Sequence, residues 1–377
     1  MNKLQNNHNV YILGAGFSAE RGLPTIKDFM LVMRDAHPWL ESKGRKKEAD
    51  AIAKVLDFRL DAASAAYRIK LDLENIEELF SLASAKSRTL TEQIQLAIAA
   101  TLDYKLQSLE EPIISFGAHK DLSGIPNHWT SDTPNEVGWS TFTCPAYEFF
   151  LKVMLGDWDN QSNLSDNSFI TFNYDLLIEN ALNGLSIPFT YGIGSKSNDS
   201  GKDVEVLKLH GSVNWAREKN STTSYVIHDS YEDLLKKNHI PQLVPPTWRK
   251  IFTGPLRQVW DRSLKSLEQA TRIIVIGFSI PPTDNHFKYL IAAGLQNNIS
   301  LREIVFVNPE ITQIEERANN LFGDITKSSS VKVIGYTLSQ FISIGPEFIN
   351  GHNHERTIRN LGRPIPHAYQ SILKRYN

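Results

Sequence analysis

The sequence predicts an α/β fold: a parallel sheet with helices on both faces and a large helical insertion after the first strand. Three observations predict it. Short apolar, β-prone runs recur along the chain and stop at glycine or polar turns. Helical stretches separate several of these runs, the alternation that builds a parallel sheet. Between about Ile26 and Leu109 the apolar spacing is three to four residues, with no proline between Pro38 and Pro112.

Taken in order, Asn9 to Leu13 (NVYIL) reads as a buried strand entering the turn at Gly14. The helical block follows. Leu71, Ile76, Leu79, Phe80 and Leu82 show mostly three-to-four-residue spacing, as do Ile94, Leu96, Ile98 and Leu102. Phe116 to Thr143 is dense in Gly, Pro, Asn, Ser and Asp and is expected to be a long irregular excursion. Tyr147 to Leu155 returns to helical spacing. Strands are then expected at Ser168–Phe172, Val204–Leu209, Thr271–Ile276, Ile304–Val307 and Val331–Ile334. Helices are expected at Leu176–Leu182, Leu256–Gln269, Asn285–Leu295 and Gln313–Leu321. The stretch Gly351–Asn377 carries Arg356, Arg359, Arg363, Lys374 and Arg375 against Glu355, and reads as a docking arm or a surface tail.

A chain of 377 residues corresponds to two or three domain equivalents and buries a large core. Lys plus Arg is 40 and Asp plus Glu is 42, which argues against a protein that coats nucleic acid or an anionic membrane. The cluster Lys43, Arg45, Lys46, Lys47 is short and reads as a solvated helix face. The single cysteine, Cys144, excludes an intrachain disulfide and a cysteine-based zinc ribbon, and fits a reducing cytoplasm. The polar start Met1–Asn9 reads as no secretory signal, and runs such as Ile273–Ile276 fall far short of a membrane span.

Five strand ends carry chemistry. Gly14-Ala15-Gly16-Phe17-Ser18-Ala19 follows the first strand. Glycines there let a backbone approach a pyrophosphate at a helix N-terminus, or simply make a tight turn. The acidic residue expected about 20 positions on in a dinucleotide fold is replaced by helix, which excludes an ordinary dehydrogenase unit. Thr171-Phe172-Asn173-Tyr174-Asp175 ends a strand. Asn173 can hold a ribose hydroxyl or a water, and Asp175 either contacts a ligand or caps the next helix. Lys208-Leu209-His210-Gly211-Ser212 ends another. His210 can take a proton from water or a sugar hydroxyl, or bond locally as a strand-end histidine. Gly277-Phe278-Ser279 suits a phosphate, Asn308 an adenosine ribose, and Thr283 and Asp284 are read as helix caps.

These five motifs, in this order, resemble the sirtuin family. GAGFS is similar to its GAG-x-S element and Arg21-Gly22-Leu23-Pro24 to the Gly, Ile/Leu, Pro run that follows. TFNYD is similar to its T-Q-N-x-D, and LHG to its catalytic His-Gly. IGFS and VNPE stand where the family has a G-T/Y-S turn and an Asn-containing strand end. The resemblance implies a Rossmann-like pocket for NAD+. Gly14, Ala15, Gly16 and Ser18 would meet the diphosphate and ribose, with Pro24 and Thr171 lining the same pocket. Gly277 and Ser279 would lie near the phosphates and Asn308 at the adenosine ribose. Asn173, Asp175 and His210 would face the nicotinamide ribose as the catalytic set.

The chain departs from the family in three places, one of them a helical block far larger than in small sirtuins. The sirtuin zinc ribbon needs four cysteines, and the Pro-Asp-Phe-Arg turn is broken here, with Thr25 after Pro24 and Asp28-Phe29 later. The chain therefore looks more like the sirtuin-like NAD+ hydrolases of bacterial antiphage defence. That resemblance implies NAD+ as substrate, no zinc, a homo-oligomer and a partner such as a HerA-type ATPase. The alternatives are an NAD+-dependent protein deacylase and a silent NAD+ or ADP-ribose sensor. The expected division is a NAD-binding domain over 1–25 and 140–345, a helical insertion and loop over 26–139, and a tail over 346–377.

Overall fold

In the computed structural model of the chain, β1 (Asn9–Leu13) is buried at every position. A strand that hides both faces must lie inside a sheet covered on both sides. The structure describes residues 8–340 apart from 87, 120–123, 156–163, 194–202, 219–223, 248–253, 282–284, 324–330, 336 and 339. After β1 come the short α1 (Ala15–Ala19) and four helices: α2 (Phe29–Ser42), α3 (Lys46–Ile69), α4 (Ile76–Lys86) and α5 (Arg88–Ser108). Three antiparallel strands follow, β2 (Ile113–His119), β3 (Thr130–Ser131) and β4 (Trp139–Pro145), then α6 (Ala146–Leu155). The sheet resumes with β5 (Asn167–Thr171), α7 (Leu177–Gly184), β6 (Phe189–Thr190) and β7 (Val204–Lys208). An outlying unit holds β8 (Gly211–Arg217), β9 (Tyr225–Ile227), α8 (Tyr231–Lys236) and β10 (Pro241–Leu243). The chain then adds α9 (Pro255–Gln269), β11 (Arg272–Ile276), α10 (Asn285–Gln296), β12 (Glu303–Val307), α11 (Ile311–Phe322) and β13 (Val331–Ile334).

The main sheet has the order β13-β12-β11-β1-β5-β7-β6, and every pair in it is parallel. The predicted α/β class is the observed one. From β1 the chain builds outward through β5 and β7, then returns to the other side of β1 at β11. That reversal is a topological switch point, where α/β sheets open a crevice outside the carboxyl ends of their strands. Leu13 pairs with both Thr171 and Ile276, Thr171 with Lys208, and Ile276 with Val307. The residues just beyond these five therefore lie along one edge.

The four helices α2 to α5 share one continuous apolar core with the sheet. Met33, Ile52, Leu79 and Ile98 belong to the same buried cluster as Ile12 and Val275. Arg45 is gripped by Glu48 and Asp103, and Tyr231 in α8 donates to Glu48 at 2.7 Å, so the helices are also tied to the outlying unit.

One expectation needs correction. Phe116–Thr143 is not an irregular excursion throughout. β2 and β4 pair with Phe116 opposite Phe142, and these rings stack at 5.7 Å. In β4 the residues Ser140, Phe142 and Cys144 point inward, a period of two that the turn residues between the strands conceal. The sheet β10-β8-β9 was also not foreseen. Thr283 and Asp284, read as caps, and the tail 346–377 lie outside the described residues.

Candidate active site

The switch point is built from backbone. Gly14 N–H donates to Ile276 O at 3.0 Å, Gly16 N–H to Gly277 O at 2.8 Å, and Gly277 N–H to Val307 O at 3.0 Å. A methyl group on Gly14 would lie 2.6 Å from Gly277 O. One on Gly277, whose φ is +62°, would lie 2.1 Å from Phe17 N. The three glycines thus let the turns after β1 and β11 touch main chain to main chain. Phe17 N–H returns to Gly14 O, so the amides of Gly14, Gly16 and Phe17 all have protein acceptors. Ser279 O accepts from Arg317, and Ile280, buried and β-branched, is held at φ +48°. Asn308, mostly buried, folds its Oδ1 back onto Glu310 N–H. Pro24 is buried just past α1.

Beside it stands a side-chain network. Asn173 Nδ2 donates to Gly14 O at 2.9 Å and to Ser18 Oγ at 2.9 Å. Gly14 O can only accept, so the amide orientation is fixed by chemistry. Ser18, almost fully buried, passes its own proton to Asp175 Oδ2 at 2.7 Å. The chain Asn173 to Ser18 to Asp175 therefore runs in one direction. It leaves Asn173 Oδ1 with no hydrogen bond among the described residues, on a half-buried side chain. Thr171 Oγ1 donates to Leu13 O and accepts Asn173 N–H, fixing the loop behind the amide. Asp175 Oδ1 accepts Leu177 N–H at 3.2 Å. Asp175, one position before the N-cap Leu176, thus holds the first amide of α7 as well as anchoring the site.

His210 stands on the neighbouring strand end. Its ring lies edge-on to Phe172 at 5.2 Å, and Phe172 stacks on Phe278 at 4.8 Å. The rings of Phe172 and Phe278 connect His210 to the turn after β11. Leu209 N–H donates to Thr171 O at 3.0 Å, setting the level of His210 against Asn173. Gly211, at φ +82°, turns the chain sharply after His210. A methyl there would lie 2.1 Å from Gln242 O.

A SIR2-like domain model matches residues 167–334. The SIR2-like stretch begins at β5 and ends at β13. It contains Asn173, Asp175, His210, Gly277, Ser279 and Asn308, and leaves out the glycine turn at 14–16. Among solved structures, a Sir2 homologue in complex with NAD is 16% identical. That match covers 97% of this chain and 90% of that one, with a TM-score of 0.41. A mutant Sir2 homologue in complex with ADP ribose is 16% identical over 94% of this chain and 91% of that one, with a TM-score of 0.43. No curated protein matches the chain. Among the described residues no group of three or more His, Cys, Asp or Glu side chains is arranged to hold a metal ion. No described helix is long and apolar enough to cross a membrane.

Sequence reasoning named Lys208 only as the start of its strand-end motif, and missed both its role and its partner Glu179. Lys208, 1% exposed, donates to the carbonyl of Asp175 and to Glu179 Oε1, the latter at 2.9 Å. The sequence signals only that a lysine inside the otherwise apolar stretch VLKL is a buried charge that must find a partner, not which partner.

Proposed function

We propose that this chain is an NAD+ glycohydrolase, which cleaves the bond between nicotinamide and its ribose. The observation that carries the reading is the directed chain from Asn173 through Ser18 to Asp175, set one strand from His210 at the switch point. The SIR2-like match over 167–334 supports it. The bond to nicotinamide already has a cationic leaving group, so the site must stabilise an oxocarbenium-like ribose and place a water. Asn173 Oδ1 accepts from that water or from a ribose hydroxyl. His210 takes the proton as water adds to the anomeric carbon, and nicotinamide leaves with the electron pair of the broken bond. The products are ADP-ribose, nicotinamide and one proton. Asp175 acts through Ser18, holding the amide in register. The glycine turn Gly14–Gly16 with Ser18, Pro24 and Thr171, and the ends at Gly277, Ser279 and Asn308, form the walls for the rest of the dinucleotide.

The resemblance to antiphage hydrolases supplies the setting. NAD+ is depleted in the cytoplasm by a homo-oligomer that works with a partner such as a HerA-type ATPase, with no zinc, membrane or nucleic-acid contact. In this reading 1–25 and 140–345 form the NAD-binding domain and 26–139 the insertion. The test is chromatography of NAD+ products from the full chain, with and without the partner ATPase, and with and without an acetylated-lysine peptide. Nicotinamide release that ignores the peptide is expected. Release only with the peptide would replace the reading by a deacylase, and binding of NAD+ without release by a sensor.

A further inference from the structure

Lys208 and Glu179 form a buried ion pair that the reaction as described above does not use. Their side chains are 1% and 5% exposed, with Nζ 2.9 Å from Oε1. Glu179 Oε1 also accepts from Tyr191 OH at 3.2 Å. Tyr191 in turn receives Asn214 Nδ2 at 3.4 Å, and Asn214 Nδ2 also reaches His228 O at 2.7 Å. Burial and the Glu179 carboxylate hold the Tyr191 hydroxyl protonated, so it remains a donor. Every charge in the group is met by a partner.

Apolar residues of similar volume serve stability as well as a buried pair does, and often better. What they cannot supply is a hydrogen bond to a carbonyl. Lys208 Nζ makes that bond to Asp175 O, in the loop that carries Asn173. Lys208 also lies two residues before His210 on the same strand end. One ammonium therefore joins the Asn173 loop to the His210 strand, with Glu179 on α7 fixing where it points. We propose that Lys208, oriented by Glu179, is a positioning residue that sets the spacing between Asn173 and His210. This rests on the glycohydrolase reading.

Three full-length proteins test it: Lys208→Met, Glu179→Gln, and the double variant Lys208→Met with Glu179→Leu. The double variant leaves no unpaired charge, so it folds where Lys208→Met alone fails. The expected result is a kcat for nicotinamide release lowered on the order of 10²-fold with KM for NAD+ little changed, as a misplaced reacting group requires. Amides of residues 173–177 are expected to exchange about tenfold faster while those of β1 and β11 keep their protection. The double variant is expected to match Lys208→Met in kcat at a Tm near the wild type, because the two residues act as a unit. A double variant with wild-type kcat and wild-type exchange overturns the proposal, and so does one that does not fold. If the wild-type chain releases no nicotinamide, the glycohydrolase reading fails, and the exchange rates still decide whether Lys208 pins the loop.

Discussion

The two halves of the switch-point edge are held by different physics. At the turns after β1 and β11, three glycines bring main chain against main chain, and no side chain could be added without moving a strand. At the ends of β5 and β7, positions are set by side chains passing hydrogen bonds from Asn173 to Ser18 to Asp175, with Lys208 and Glu179 behind. The first half tolerates no volume and the second no lost partner. Glycine in a turn that reads as a phosphate cradle is fully explained here by close packing. The carboxamide of Asn173 has an oxygen that packing does not use.

The largest effect that could break this comparison is in the glycine half. Gly277→Ala is expected to cost on the order of 3 kcal/mol or more in unfolding free energy, since it combines positive φ with a clash against backbone. Gly44 is the control. It holds φ +72° with nothing within 4 Å of a methyl group. Gly44→Ala is therefore expected to cost only about 1–2 kcal/mol. Denaturant titration of both variants checks it. Equal midpoints would show that contact between the two turns is not what Gly277 serves.

A smaller effect sharpens the polar half. Ser18→Ala removes the link between Asn173 and Asp175 and leaves the buried carboxylate one donor short. The expected cost is about 1–3 kcal/mol. Nicotinamide release should fall more steeply than that loss explains, as the amide is freed to turn. Parallel measurement of Tm and kcat separates the two, and a wild-type kcat would remove Ser18 from the positioning chain.

The smallest effect lies at the opposite edge of the sheet, where His8 packs against Ser266, Ser168 and the Glu205 carboxylate. Burial lowers its pKa below 6.5, with Glu205 opposing. The unfolded chain then binds the His8 proton at a higher pH than the folded one. Stability from this group is full above about pH 6.5 and is lost as pH falls toward the folded value. The stability difference between wild type and His8→Gln, measured above pH 6.5 and again at successively lower pH, should shrink as pH falls. An unchanged difference would mean that His8 titrates alike in both states.

Six of the main sheet's seven strands were legible as short β-prone runs that end at glycine, asparagine or histidine turns, whereas the two-residue β6 was too short to read. The helical block was legible from period alone. The strands β2 and β4 were not, since each alternates over only seven residues beside a segment crowded with turn formers. The candidate residues at 14–18, 171–175, 208–212, 277–279 and 308 were found as local motifs, each at a strand end. The pair Lys208–Glu179 was out of reach of that method. Its members stand 29 positions apart and meet only because α7 packs beside the neighbouring strand. Local turns are written in neighbouring residues, whereas partners of a buried charge are written in the topology.

The most direct test of the central claim is the quantity of nicotinamide released from NAD+ by the full chain and by Asn173→Ala and His210→Ala, each checked for a native unfolding transition. The account predicts release by the wild type and loss of at least 10²-fold in both folded variants, the scale of a removed acid–base or positioning group. Wild-type release from either variant would show that the carboxamide and the imidazole at these two strand ends do not carry the reaction.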